Sequence, residues 1–124
     1  MRKNFDGAFF VKMMRGDATR ELMRDHKAFT LLAQIAERAR QKDGPFTGST
    51  GITIWLKKGQ AFIGDYESIG LTEKEYRCAK KRLMKCKYAD FEGANKGTIA
   101  TLINNDVFDA TFQNRADKGR TRGD

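Results

Sequence analysis

With one histidine and two cysteines in 124 residues, this chain lacks the four Cys or His side chains of a structural zinc site. Its two thiols also cannot pair with each other. Cys78 and Cys86 lie eight positions apart on what reads as one helix, a Cα separation of about 12 Å at the helical rise. A disulfide needs less than about 7 Å. Two free thiols point to a reducing compartment, hence the cytoplasm or nucleoid. No stretch approaches the roughly 18 apolar residues that span a bilayer. The N-terminal region lacks the uninterrupted apolar run of a secretory signal.

Catalytic constellations are missing too. His26 sits between Asp25 and Lys27 at a helix start, the place of a surface or capping residue. Gly93 to Thr98 superficially suggests a phosphate loop, but the Gly-Lys-Ser/Thr spacing is absent and a strand follows where that loop needs a helix. The acidic residues show no paired spacing on a shared face that would serve metal-dependent nuclease chemistry. The chain is therefore expected not to be an enzyme and to use no cofactor or metal.

Positive charge is what the chain has in excess. The net charge is +8 and the pI near 9.7, which implies an anionic partner or at least a positive field. The excess is uneven. Residues 72–97 carry eight basic and four acidic side chains, a surplus of +4, and residues 1–71 carry the same surplus over nearly three times the length.

That basic segment has a well-marked start. In Leu71-Thr72-Glu73-Lys74-Glu75-Tyr76, Thr72 can accept from the amide three residues on while Glu75 reaches back to the amide of Thr72, a capping box. Leu71 and Tyr76 occupy the positions of a hydrophobic staple. From there Tyr76, Ala79, Leu83 and Cys86 fall within a stripe about 80° wide, suited to a core. Lys74, Arg77, Cys78, Lys81 and Lys85 fall on the opposite face. Glu73 and Glu75 sit in the first turn, where the helix dipole favours them. A one-signed face forfeits the i,i+4 support that mixed charges give. Cys86 is expected in the core, and Cys78 exposed among several cations.

Ahead of this helix, Tyr66 to Ile69 reads as a short helix and Gly70 as the turn. Behind it, Ala89 to Gly93 and the β-branched run Thr98 to Ile103 read as a hairpin. Asn95-Lys96-Gly97 supplies the turn, with Lys96 at the tip. Helix, tight turn, basic helix and hairpin, in that order, are the layout of a winged helix-turn-helix.

The run Lys58-Gly59-Gln60, Gly64-Asp65-Tyr66-Glu67, Gly70-Leu71-Thr72, Tyr76-Arg77 and Asn95-Lys96-Gly97-Thr98-Ile99-Ala100-Thr101-Leu102-Ile103 resembles the winged-helix domains of bacteriophage and plasmid replication initiators. It also resembles related helix-turn-helix proteins of mobile elements. The resemblance covers roughly residues 26 to 109. Two departures stand out: Lys87-Tyr88 occupies the point where such domains often carry glycine, and the second domain of the larger initiators has no counterpart in the sequence. The resemblance implies DNA binding, with other replication proteins as further partners.

Elsewhere, residues 1–7 read as a loose arm and residues 8–112 as the domain. Residues 113–124 read as a basic tail too poor in apolar residues to order itself. Ala8 to Met13 fits a strand or a helix start. Ala18 to Arg24 reads as a short helix. Lys27 to Arg40 reads as a longer one, with Ala28, Leu32, Ile35, Ala36 and Ala39 inward and Thr30, Gln34 and Glu37 opposite. Asp43-Gly44-Pro45 ends that helix, and Gly44 to Gly51 reads as a loop. Ile52 to Leu56 and Gln60 to Ile63 read as strands about a Lys57-Lys58-Gly59 turn. Trp55 is expected to be a core or hinge aromatic packing under the sheet, not a base-stacking platform.

The expected protein is an α+β winged helix-turn-helix, a small helical bundle with a β-hairpin wing. It would bind double-stranded DNA in replication initiation or regulation of a phage or mobile element. Thr72, Lys74, Arg77 and Lys81 would face the major groove, with Lys74 and Arg77 best placed for base edges. Lys85 and Lys96, with Lys57 or Lys58, would hold the phosphate backbone, and Asn95 at the hairpin turn would belong to the same DNA-binding surface. The competing reading is a protein-docking or oligomerisation module of the same fold. RNA binding ranks below both, because no aromatic platform is interleaved with the cations.

Overall fold

Residues 11–48, 51–94 and 97–109 are described by the structure, a computed structural model. The expected arm, the expected tail and the hairpin-tip residues Asn95 and Lys96 lie outside the described residues. The elements are β1 (Lys12–Met13), α1 (Asp17–Met23), α2 (His26–Arg38), β2 (Gly44–Thr47), β3 (Thr53–Leu56), β4 (Gln60–Ile63), a 3-10 helix (Tyr66–Ile69), α3 (Glu73–Lys85), β5 (Ala89–Ala94), β6 (Gly97–Leu102) and β7 (Phe108–Asp109). Among the described residues this is an α+β architecture of three α-helices and antiparallel sheets.

Helix α2 is the centre of the core. Asp25 caps it, its side chain accepting from Ala28 N at 3.2 Å. Ala28, Leu31, Leu32, Ile35 and Ala36 are buried along it, and the first four join Leu22, Ile63, Tyr76, Leu83, Ala100 and Val107 in one cluster. Each large aliphatic side chain buried this way is worth about 1.5–3 kcal/mol. The helix ends sooner than the spacing predicts. Ala39 leaves the helical region at ψ 134, and Arg40 instead exchanges backbone hydrogen bonds with the start of β4 (Arg40 N to Gln60 O 2.9 Å, Gly59 N to Arg40 O 3.0 Å). Gln34, expected outward, is buried at 5% exposure. The 3-10 helix covers its flank of α2, and Gln34 Nε2 faces Ser68 Oγ at 3.5 Å.

The loop expected from Gly44 to Gly51 is in part a strand. β2 pairs antiparallel with β3, Gly44 opposite Leu56, Pro45 opposite Trp55 and Phe46 opposite Ile54. What holds this polar, glycine-bearing strand is long-range: the Phe46 ring packs on Phe62 of β4, centroids 5.7 Å apart. Trp55 is a second correction. It points out of the ribbon at 62% exposure and packs under nothing. The apolar run near the N-terminus resolves, in its described part, as β1, which pairs with β7 (Lys12 opposite Asp109, Met13 opposite Phe108).

β4, β6 and β5 form one sheet with β6 central. The β5–β6 hairpin keeps register up to Ala94 opposite Gly97. Gly97 is required there: a Cβ would run into the Phe62 ring and sit 2.9 Å from the Ile63 carbonyl oxygen. Gly70, at φ 80, closes the 3-10 helix in the left-handed region and delivers the chain to Leu71.

Candidate nucleic-acid interface

The start of α3 is built as its sequence dictates. Thr72 Oγ1 accepts from Glu75 N at 3.2 Å, and Glu75 Oε1 accepts from Thr72 N at 2.9 Å. Leu71 and Tyr76 are each 6% exposed, one on either side of the cap. Tyr76 stacks on Tyr66 of the 3-10 helix at 5.1 Å, which fixes the angle between the two helices. Burial pushes the Tyr76 phenol up from its ordinary pKa.

Tyr76, Ala79 and Leu83 are buried and form the inner stripe. Cys86, expected as its fourth member, is exposed. The helix ends at Lys85, so Cys86 occupies the C-cap and the stripe no longer points inward there. Beyond it, Lys87 adopts φ 61, the only non-glycine residue with positive φ among the described residues. Lys87 N donates to Met84 O at 3.0 Å and Tyr88 N to Leu83 O at 2.9 Å. These two bonds make a Schellman turn, whose left-handed position normally takes glycine. Asn104 Nδ2 donates to Lys87 O at 2.8 Å, holding the strained residue from outside the helix.

The basic side chains of α3 divide into two sets that composition could not separate. One set is engaged. Arg82 Nη1 lies 3.4 Å from Asp25 Oδ2, and Lys27 Nζ lies 3.1 Å from Glu75 Oε2, so two ion pairs fasten α3 to the start of α2. Lys80 Nζ sits 4.6 Å from the centre of the Tyr76 ring and 6.0 Å from that of Phe91, covering the seam between α3 and β5. Arg77 Nη2 donates to Glu73 Oε2 at 2.6 Å, and that bond raises the Arg77 pKa further. The outward face is thus less one-signed than the sequence suggested, since Glu73 supplies an i,i+4 partner.

The other set is open. Lys74, Lys81 and Lys85 are exposed, and none has an acidic partner among the described residues. Cys78 is exposed beside them, and Met84, at 41% exposure, adds an apolar edge to the same side of the helix. Lys74 to Lys85 spans about 16 Å along the axis at the helical rise. Thr72 is exposed, but its hydroxyl is committed to the cap. Lys57 and Lys58 stand apart, at the base of the β2–β3 ribbon, where Lys58 N donates to Asp43 Oδ1 at 2.8 Å.

So of the expected site residues, Lys74, Arg77, Lys81 and Lys85 share one face and Thr72 serves its foot. Asn95 and Lys96 lie outside the described residues, although the hairpin that carries them is present. Sequence reasoning missed Lys80 as a packing cation and Met84 as an exposed apolar side chain. Their positions in the helical repeat held the signal. Among the described residues no group of three His, Cys, Asp or Glu is placed to hold a metal ion, and no helix is long and apolar enough to cross a membrane. No family model, curated protein or solved structure matches this chain.

Proposed function

We propose that this chain is a winged helix-turn-helix domain that binds double-stranded DNA through α3. Its setting would be the replication or regulation of a phage or mobile element, in the cytoplasm or on the nucleoid, with no catalysis of its own. The observation that carries the reading is the open set of cations. Lys74, Lys81 and Lys85 line the solvent face of a helix whose opposite face is locked to the core by Tyr76, Ala79 and Leu83. Such a rigid cationic ridge suits a polyanion, because its charges are already in place and unpaired. The chain order α2, β4, 3-10 helix, α3, β5, β6 with sheet order β4-β6-β5 supports the winged-helix reading. In it, the start of α3 enters the major groove, Lys74 and Arg77 reach base edges, and Lys81 and Lys85 meet the flanking backbone.

Fluorescence anisotropy of a labelled duplex across a salt series tests this. Affinity should fall linearly in log–log form, with a slope of about 0.9 per neutralised phosphate. Lys81→Ala and Lys85→Ala should each lower the slope by about one and weaken all sequences alike. Arg77→Ala should also flatten discrimination between sequences, by about tenfold. Weak DNA binding that none of the three substitutions changes would sink the reading and favour a docking module of the same fold.

A further inference from the structure

The β2–β3 ribbon has two unlike faces. Its inner face is Phe46, Ile54 and the fully buried Leu56, with Phe46 seated on Phe62 of β4. Its outer face is Pro45, Thr47, Thr53 and Trp55, all exposed, with Pro45 directly opposite Trp55 and the two threonine hydroxyls 2.7 Å apart. A tryptophan with 62% of its surface in water gains little from folding, so packing does not explain it. The strand that carries it is anchored all the same. The inner face anchors both strands, and Arg40 Nη2 donates to Pro45 O at 3.2 Å while its guanidinium lies 5.9 Å from the Phe46 ring centre.

The surroundings of that ring are cationic. Residues 40–60 contain Arg40, Lys42, Lys57 and Lys58 against one acidic residue, Asp43. Asp43 itself accepts from the Lys58 amide at 2.8 Å. Lys42 and Lys57 flank the same end of the ribbon, because Gly44 pairs with Leu56. Both are exposed with no acidic partner among the described residues. An exposed indole on an anchored strand beside cations is the equipment for stacking a base while its phosphates are held. In a duplex the base faces are already covered by their neighbours, so the ring can find a free face only on unpaired bases.

We infer that the outer face of the β2–β3 ribbon is a single-stranded DNA contact, in which Trp55 stacks on a base and Lys42 and Lys57 hold the adjoining phosphates. It is a site separate from the face of α3. Because Trp55 is the only tryptophan of the chain, its fluorescence reports on this site alone. The test is a titration of the full chain with an oligothymidylate of about twelve nucleotides, within the usual span of single-strand grooves. A mixed-sequence duplex of equal length is the second arm. The single strand should quench the emission saturably, and added salt should reverse the quenching. Trp55→Ala should weaken oligothymidylate binding, read by anisotropy of an end label, by about five- to a hundredfold. Duplex affinity and melting temperature should stay as in the wild type, since the ring is exposed and its loss leaves no cavity. Unchanged emission with the single strand, equal quenching by the duplex, or a Trp55→Ala variant that binds the single strand as tightly as the wild type would each overturn the inference. The duplex reading stands or falls separately, on the Lys81 and Lys85 variants.

Discussion

Lys87 shows how a single residue carries a cost that its neighbours absorb. The left-handed region is unfavourable by about 1–2 kcal/mol for a residue with a Cβ, and Lys87 holds it because two Schellman bonds and the Asn104 side chain fix the turn. Replacing Lys87 with glycine removes the steric cost and restores some unfolded-state entropy, so the effects partly cancel. Lys87→Gly should therefore stabilise the domain by about 0.5–1 kcal/mol in urea unfolding; a lower midpoint would show that the lysine side chain itself makes a compensating contact. Asp65 is the second residue with a legible cost. Arg38 donates to both its oxygens, at 2.7 and 2.8 Å, and this fork holds the carboxyl below its ordinary value of 3.8, with Ser68 adding a further bond. A depressed carboxylate contributes stability that is complete above its unfolded pKa and is lost as pH falls through the folded one. Compared with Asp65→Asn, the wild type should thus be more stable near neutrality, and the gap should close as pH drops below about 4. The pair is half in water, so the gap is small. A gap that stayed constant through acid titration would assign the benefit to shape and not to charge.

At the scale of elements, α3 was the most legible part of the sequence because its signals are local. The capping box needs only Thr72 and Glu75, the staple only Leu71 and Tyr76, and the inner stripe only the helical repeat. A direct check is the contrast between two neighbours. Leu83→Ala should cost about 2–5 kcal/mol, as for a buried leucine, whereas the exposed Lys81→Ala should be near neutral; thermal melts in the reverse order would mean that the helix faces are exchanged. What was not legible depends on contacts far along the chain. Gln34 is buried because the 3-10 helix happens to cover its side of α2. β2 is a strand because β3 and Phe62 make it one, against its own turn-like composition. Trp55 was misplaced for a different reason. Thr53 and Trp55 alternate with Ile54 and Leu56, and that period of two places the indole outward once the apolar face is taken as the inner one. The division of the cations likewise hangs on partners such as Asp25, 57 positions from Arg82, which no local window contains.

On the scale of the whole molecule, fold and charge act together. The engaged cations, Arg82 and Lys80, help to bind α3 to α2 and β5, and the open ones depend on the rigidity this gives. A ligand that binds only this folded arrangement must stabilise it by mass action. If duplex DNA is that ligand, a duplex at about a hundred times its dissociation constant should add roughly 2.7 kcal/mol to the stability. The gain should show as a higher melting temperature, and it should fade as salt is raised. A melting temperature indifferent to duplex at low salt would count against the proposed function as strongly as a failed binding curve.

The pairing of β1 with β7 has a consequence for engineering. It seats Lys12 opposite Asp109, and facing residues in an antiparallel ladder stand about 4.5–5.5 Å apart at Cα, inside the range that a disulfide bridges. Cysteines at both positions, with Cys78 and Cys86 replaced by serine to prevent scrambling, would staple a loop of about a hundred residues. Chain-entropy arguments give such a staple on the order of 4 kcal/mol. The bond would leave both the α3 face and the Trp55 ribbon untouched, since neither element takes part in the β1–β7 ladder. An oxidised, toughened form could then be compared with its reduced twin, and any difference in nucleic-acid binding between them would measure how far recognition depends on the two ends of the fold moving apart.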